Sequence, residues 1–166
     1  MEKWDLYDEK GRLSGSSMVR GEPIPKGFYH LVSDILVRHT DGEYLLMQRD
    51  FGKPNYGGYF EMSAGGSALM GEDALTCAKR ELWEETGIVC ENLLEIGHSM
   101  SHNTIYVSFL CTTDWDKSAI TLLEGETISY RWVTEEDFLA FIASDDVIPS
   151  QKKRYEDYFR KMGYIR

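Results

Sequence analysis

Residues 66 to 88 read Gly66-Ser-Ala-Leu-Met-Gly-Glu72-Asp-Ala-Leu-Thr-Cys-Ala-Lys-Arg80-Glu81-Leu82-Trp-Glu84-Glu85-Thr-Gly87-Ile88, and the fold turns on this stretch. From Asp73 to Thr86 it is rich in Ala, Leu, Lys, Arg and Glu, with no Pro or internal Gly, which predicts a helix that Gly87 closes at its C-terminal end. Leu75, Ala78 and Leu82 stand at i, i+3 and i+7 and give the helix an apolar stripe, expected to face a core. Glu81, Glu84 and Glu85 stand at i, i+3 and i+4, so their carboxylates converge on a neighbouring strip. Like charges so placed repel, and acids in a last turn oppose the helix dipole, so the arrangement needs an offsetting partner. A hard divalent cation supplies one: magnesium prefers oxygen ligands, usually one or two carboxylates with waters and substrate phosphates, and manganese takes similar sites. A solvated acidic face is the plainer reading of Glu-x-x-Glu-Glu alone. The flanking Gly66, Glu72, Arg80 and Gly87 weigh against it.

The same stretch resembles the Nudix box, G-x5-E-x7-R-E-U-x-E-E-x-G-U, where U is a bulky aliphatic residue. Gly66, Glu72, Arg80, Glu81, Glu84, Glu85 and Gly87 fill the fixed positions, and Leu82 and Ile88 the aliphatic ones. The resemblance implies an α/β protein of the Nudix fold, a mixed β-sheet sandwiched between α-helices. It also implies a pyrophosphohydrolase that uses Mg2+ or Mn2+ and metal-activated water to cleave a pyrophosphate linkage in a nucleoside diphosphate-X type small molecule. On that resemblance Glu81, Glu84 and Glu85 are metal ligands, Arg80 orients Glu81 through a bidentate pair, and Glu72 is an outer ligand or a partner of the ligands. Ala64 and Gly65 lie where the family often offers a backbone carbonyl to the metal. Gly65 and Gly66 also suit a loop that needs positive φ and close backbone approach.

Hydrolysis requires a base for the attacking water, and in many Nudix relatives it follows the box. Glu124, Glu126 and the box glutamates are the candidates, and Glu126 is taken with Arg80, Glu81, Glu84 and Glu85 as the catalytic set. Two acids beside Gly125 also suit a plain solvated turn. Arg49 resembles the arginine that many Nudix hydrolases place near substrate phosphates; its alternative is an ion pair with Asp50 or a neighbour. Phe51, Lys53, Tyr56 and Tyr59 sit in a Gly-rich segment before the box and can stack on a base or hold a phosphate, and Arg49, Lys53 and Tyr56 are the substrate-binding candidates. Core packing is the alternative for Tyr59. His30, His98 and His102 are given no role.

Trp4-Asp-Leu-Tyr-Asp8 with Gly11, Gly15, Arg20-Gly21, Pro25, Gly27 and His30 is similar to the N-terminal region of Nudix proteins related to isopentenyl diphosphate isomerase. Those isomerases carry a cysteine on the strand leading into a degenerate box. Here Tyr59 to Ala64 contains none and the box is intact, which favours hydrolysis. A non-catalytic nucleotide-binding Nudix module is the other alternative, and a broken Arg-Glu-x-x-Glu-Glu would mark it.

The chain has 166 residues, 42% hydrophobic and 13% aromatic, which suits one compact domain with a real core. Its net charge of -10 argues against a nucleic-acid polymer as partner but not against a small diphosphate, which local cations can neutralise. Cys77, Cys90 and Cys111 are odd in number and lack metal-type spacing, no apolar run approaches membrane length, and the start lacks a signal-peptide pattern, so a cytoplasmic protein is expected. Oligomeric state is open between monomer and homodimer. Lys152, Lys153, Arg154, Arg160, Lys161 and Arg166 in the tail read as a basic, solvated helix face. Residues 1–27 are expected to form an N-terminal strand and loop extension. Strands are expected at Trp4 to Tyr7, Phe28 to His39, Glu43 to Gln48, Tyr59 to Ser63, Leu93 to His98, Thr104 to Thr112 and Ile128 to Val133, with a hairpin at Asp41-Gly42. Helices are expected at Glu135 to Ala143 and Ser150 to Met162.

Overall fold

The structure, a computed structural model, describes residues 1–166. Its frame is set by strands that are apolar on both faces. In β3 (His30–His39), Ile35 and Val37 point into one core and Leu36 into another; in β4 (Tyr44–Arg49), Leu45 and Met47 join the first core and Tyr44 and Leu46 the second. Side chains alternate across a strand, so a sheet made of such strands must be covered on both sides. One face is covered by α1 (Ala74–Thr86), through Cys77, Ala78 and Leu82. The other is covered by α2 (Glu135–Ala143) and α4 (Glu156–Lys161), with Tyr155 joining α4 to the preceding α3 (Pro149–Arg154), through Phe138, Ile142, Tyr155, Tyr158 and Phe159. This is the expected mixed sheet between helices.

Seven strands make that sheet. β3 runs parallel to β8 (Thr104–Thr113), which is paired on its far side by antiparallel β7 (Leu93–Ser101). Along its other edge β3 pairs with β6 (Ala64–Ser67), and beyond the Asp41-Gly42 turn, where Gly42 has φ 98°, the chain returns as β4. β4 in turn pairs with β5 (Phe60–Met62) and β9 (Thr127–Val133). A separate hairpin, β1 (Lys3–Tyr7) and β2 (Leu13–Val19), is fastened to the sheet by reciprocal backbone bonds between Tyr7 and Tyr29. No helix is long and apolar enough to cross a membrane.

Several expectations need correction. Leu75 is 39% exposed and not part of the core stripe. In the first turn the helix rests instead on Ala74, whose carbonyl accepts from Ser33 Oγ at 2.8 Å, and Cys77 takes the buried place. The strand expected at Tyr59 to Ser63 is present as β5, but a further strand, β6, follows it unexpectedly, the two divided where Ser63 adopts φ 68° and its hydroxyl bridges the Leu45 carbonyl and the Val37 amide. The extension at residues 1–27 contains a second strand, β2, and is a hairpin. The helix expected over Ser150 to Met162 is two six-residue helices, α3 and α4, interrupted at Tyr155. There Tyr155 is buried and Arg154 turns inward, so Arg154 does not belong to a solvated basic face.

Candidate active site

The site begins at the ends of α1. Asp73 caps the helix by accepting from Thr76 N at 2.7 Å, and Gly87, in the left-handed region at φ 78°, ends it with a bond to the Trp83 carbonyl. Burial of Ala78 and Leu82 fixes the rotation of the helix, and the acidic strip then faces β6. Arg80 lies at the centre of that strip. Its bidentate partner is Glu72 (Nε to Oε1 2.7 Å, Nη2 to Oε2 2.9 Å), not Glu81 as expected. Glu81 and Glu84 share the remaining nitrogen, Nη1, at 2.7 and 3.1 Å, and Nη2 also donates to the Ser67 carbonyl at 3.1 Å. Glu72 in turn accepts from Leu69 N at 2.9 Å. The geometry explains the preference: a residue one position along a helix cannot offer both carboxylate oxygens to a neighbouring guanidinium, whereas a loop residue opposite can.

Gly65 and Gly66 do not have positive φ; both lie in β6. They are needed for close approach. A methyl group at Gly66 would overlap the Glu81 carboxylate, and one at Gly65 would come within 2.9 Å of the Ser33 carbonyl and 3.0 Å of Asp34 Oδ1. Gly65 N donates to Glu85 Oε2 at 3.2 Å.

Glu85 is only 6% exposed. Burial pushes its carboxyl well above the ordinary range, and the charges of Glu61 and Glu81 add to the effect. Burial also raises Glu81 and Glu61, although Arg80 and Arg49 respectively oppose the shift. Glu72 goes the other way: part burial works against it, but the Arg80 and Leu69 donors hold it below the usual carboxylate range. No three acidic, histidine or cysteine side chains converge on one point as a ready ion cage. Arg80 Nη1 stands between Glu81 and Glu84. The donor chemistry nevertheless fits a hard divalent cation: the ligating atoms are oxygens, Gly66 leaves room for a carboxylate, and burial disfavours the charged form of Glu61, Glu81 and Glu85, a cost that a cation would offset.

A polar cavity of about 310 Å³ opens over this strip. It is lined by Arg80, Glu81, Glu84, Glu85 and Gly65, by Arg49, Lys53 and Glu126, all from the expected set, and by Glu2 and Arg20 from the root of the N-terminal hairpin. Lys53 Nζ pairs with Glu126, while Glu124 does not reach the cavity. Arg49 donates to Glu61 at 2.9 Å and to the Asn55 carbonyl at 3.2 Å, not to Asp50. Arg49, Glu61, Gly65, Gly66 and Ser67 also line a second, neighbouring cavity of about 520 Å³, together with Tyr56, Tyr106 and Gln151. Tyr56 stands there with φ 54°, edge-on to Tyr59, which is exposed and not in the core. Lys53 and Tyr56 therefore face different cavities. None of the three free cysteines lines either one.

Glu61, Asp34, Gln151 and Arg154 were not anticipated. Gln151 accepts from Met62 N at 2.9 Å and donates to Glu61 at 3.3 Å, and Arg154 forks onto Asp34 at 2.6 and 3.1 Å. The signal was a single acid inside an apolar strand, Asp34 in β3 and Glu61 in β5, since a buried charge needs a partner. Burial raises the Asp34 carboxyl, against the pull of Arg154. Asp34→Ala leaves the half-buried Arg154 guanidinium without its carboxylate, held only over the Tyr106 ring, and is expected to cost about 3 kcal/mol in urea unfolding. Adding Arg154→Leu should recover much of that loss; an unchanged single variant would contradict the burial of the pair.

The comparisons with known proteins agree with this geometry. Residues 28–158 match the NUDIX domain model. An uncharacterised Nudix hydrolase of Listeria monocytogenes is 32% identical over 155 residues, covering 90% of this chain and 89% of its own. Nudix hydrolase 3 of Arabidopsis thaliana is 32% identical over 162 residues, 87% of this chain but 21% of that longer protein. Among solved structures, DR0079 from Deinococcus radiodurans superposes with a TM-score of 0.76 at 17% identity, covering 93% of this chain and 98% of that one. The NUDIX domain of Shewanella oneidensis NrtR, solved with ADP ribose, gives a TM-score of 0.63 at 16% identity, covering 87% and 99%. With the domain matched over most of its length and the Arg80-centred acids in place, this chain belongs to the Nudix hydrolase family and is one of its pyrophosphohydrolases.

Proposed function

We propose that the protein hydrolyses the pyrophosphate linkage of a nucleoside diphosphate-X type small molecule, and does so only with Mg2+ or Mn2+ bound. The observation that carries the proposal is the set of carboxyls, buried Glu85 with half-buried Glu81 and Glu61, lining a cavity that shares residues with a larger polar one. Glu81, Glu84 and Glu85 would hold the cation, with Gly65 beside them and Glu72 fixing Arg80. Once bound, the cation supplies positive charge at the phosphoryl oxygens and makes water a better nucleophile near neutral pH. Arg49 and Lys53 line the same cavity and can offset the remaining charge of the diphosphate. In the hydrolytic step a water oxygen bonds to phosphorus, the bridging P–O bond breaks, and the water's proton passes to a carboxylate. Glu126, oriented by Lys53, is the one we assign. The polar lining of the larger cavity, with Tyr56 and Tyr106, suits a nucleoside or sugar better than an isoprenoid chain. The ADP ribose held by the Shewanella NUDIX domain is a ligand of that class on the same fold.

The test is a panel of nucleoside diphosphate sugars, dinucleotides, nucleotides and isoprenoid diphosphates, each assayed with Mg2+, with Mn2+ and with excess chelator. Cleavage of a nucleoside diphosphate derivative is expected, abolished by chelator and restored by the metal. Undiminished cleavage in chelator would contradict the proposal.

A further inference from the structure

We infer that Arg20, contributed by the N-terminal hairpin, is a binding residue for the anionic group of the substrate, released from Glu2 as that group enters. The inference rests on the diphosphate reading of the site. The hairpin is tied to the box: Met70 N donates to the Lys3 carbonyl at 2.8 Å, and Gly71 N to Asp5 Oδ2 at 2.7 Å. These two residues lie between Leu69 and Glu72, the segment that anchors Arg80. The root of the hairpin, where Arg20 N donates to the Glu2 carbonyl at 3.0 Å, therefore sits at the rim of the acid-lined cavity, and both side chains line it.

Four cations reach that cavity, Arg20, Arg49, Lys53 and Arg80, and they differ in how firmly they are held. Arg80 is shared among three carboxylates and a carbonyl, Arg49 between Glu61 and a carbonyl, and Lys53 is partly buried against Glu126. Arg20 has a single side-chain partner, Glu2 at 2.6 Å, in a pair whose members are 59% and 51% exposed. An ion pair so open to water adds little stability, so exchanging it costs little. A phosphate oxygen in the cavity can accept two parallel N–H donors from the freed guanidinium, a stronger arrangement than the single Nη1 contact with Glu2. Arg20 is thus the cation most readily redirected to an incoming phosphate, and Glu2 holds it in waiting at the rim.

The experiment measures calorimetric binding of methylenediphosphonate, a diphosphate analogue that cannot be hydrolysed, to the full chain in magnesium. Arg20→Ala is expected to weaken binding about tenfold, and Arg20→Lys to recover part of the loss, since a point charge replaces a fork. Glu2→Gln is expected to tighten binding at least about twofold, because it frees Arg20 without removing it. The tightening by Glu2→Gln is expected to vanish in the Arg20→Ala background, which a mere change of charge at the rim would not show. The inference is overturned if Arg20→Ala binds as the parent does, or if Glu2→Gln weakens binding in step with Arg20→Ala. Should the parent itself bind no methylenediphosphonate, the diphosphate reading of the whole site fails, and that result is distinct from a failure confined to Arg20.

Discussion

Glu85→Gln is expected to lower the hydrolytic rate at least about a hundredfold, the scale seen when an oriented charge or a metal partner is lost, while leaving the fold intact. The Gly65 amide would still find an acceptor, because a glutamine carbonyl can take the place of Glu85 Oε2. What disappears is a buried carboxyl whose ionisation is disfavoured by burial and by the charges of Glu61 and Glu81. Thermal stability in chelator should therefore hold or rise. The sign of the pH dependence follows from the raised carboxyl. A proton retained by Glu85 in the folded state stabilises the metal-free protein fully below the ordinary carboxylate value, and that contribution is lost as pH rises through the raised one. Metal-free parent protein should thus melt higher as pH falls from neutral toward the ordinary carboxylate range, and Glu85→Gln should show a shallower slope. Glu84, more exposed and bonded to Arg80 Nη1, should lose rate similarly without that gain in stability. A parent-like rate in both variants would remove them from the ligand set.

Gly66→Ala is the second large effect. Its backbone is not in the left-handed region, so alanine can adopt the conformation without strain. The added methyl, however, occupies the space of the Glu81 carboxylate. The flexible side chain yields more easily than the strand, so Glu81 swings away from Arg80 while Glu72 and Glu84 keep their bonds. A displacement of about 1 Å at a reacting centre can cost about a hundredfold in rate, and that loss is expected here with a melting temperature close to the parent's. A stable variant with full activity would show that the position of Glu81 is immaterial to the chemistry.

Residues whose chemistry is local were legible in the sequence. The helix over Asp73 to Thr86 has its cap, its stop and its acid spacing written within one segment, and the β3–β4 hairpin is announced by Asp41-Gly42 between apolar runs. What failed was long-range. The bidentate partner of Arg80 is fixed by how the 69–72 loop folds back, which a spacing of eight residues does not reveal. Tyr155 interrupts the tail because its ring is buried in the second core and Arg154 finds Asp34 120 positions away. β2, with Ser14, Gly15, Ser16 and Ser17, has no apolar alternation because only Met18 of its side chains is buried. Leu75 shows the limit of periodicity: it has the right phase, but the first turn is seated on Ser33 through Ala74.

The central claim is that the carboxylates of α1 hold a divalent cation, and titration of Mn2+ followed by electron paramagnetic resonance tests it directly. The parent is expected to remove the free Mn2+ signal stoichiometrically, with Mg2+ competing, and Glu85→Gln to bind at least about tenfold more weakly. A parent that leaves the free Mn2+ signal unchanged, or a Glu85→Gln variant that binds Mn2+ as tightly as the parent, would contradict the claim.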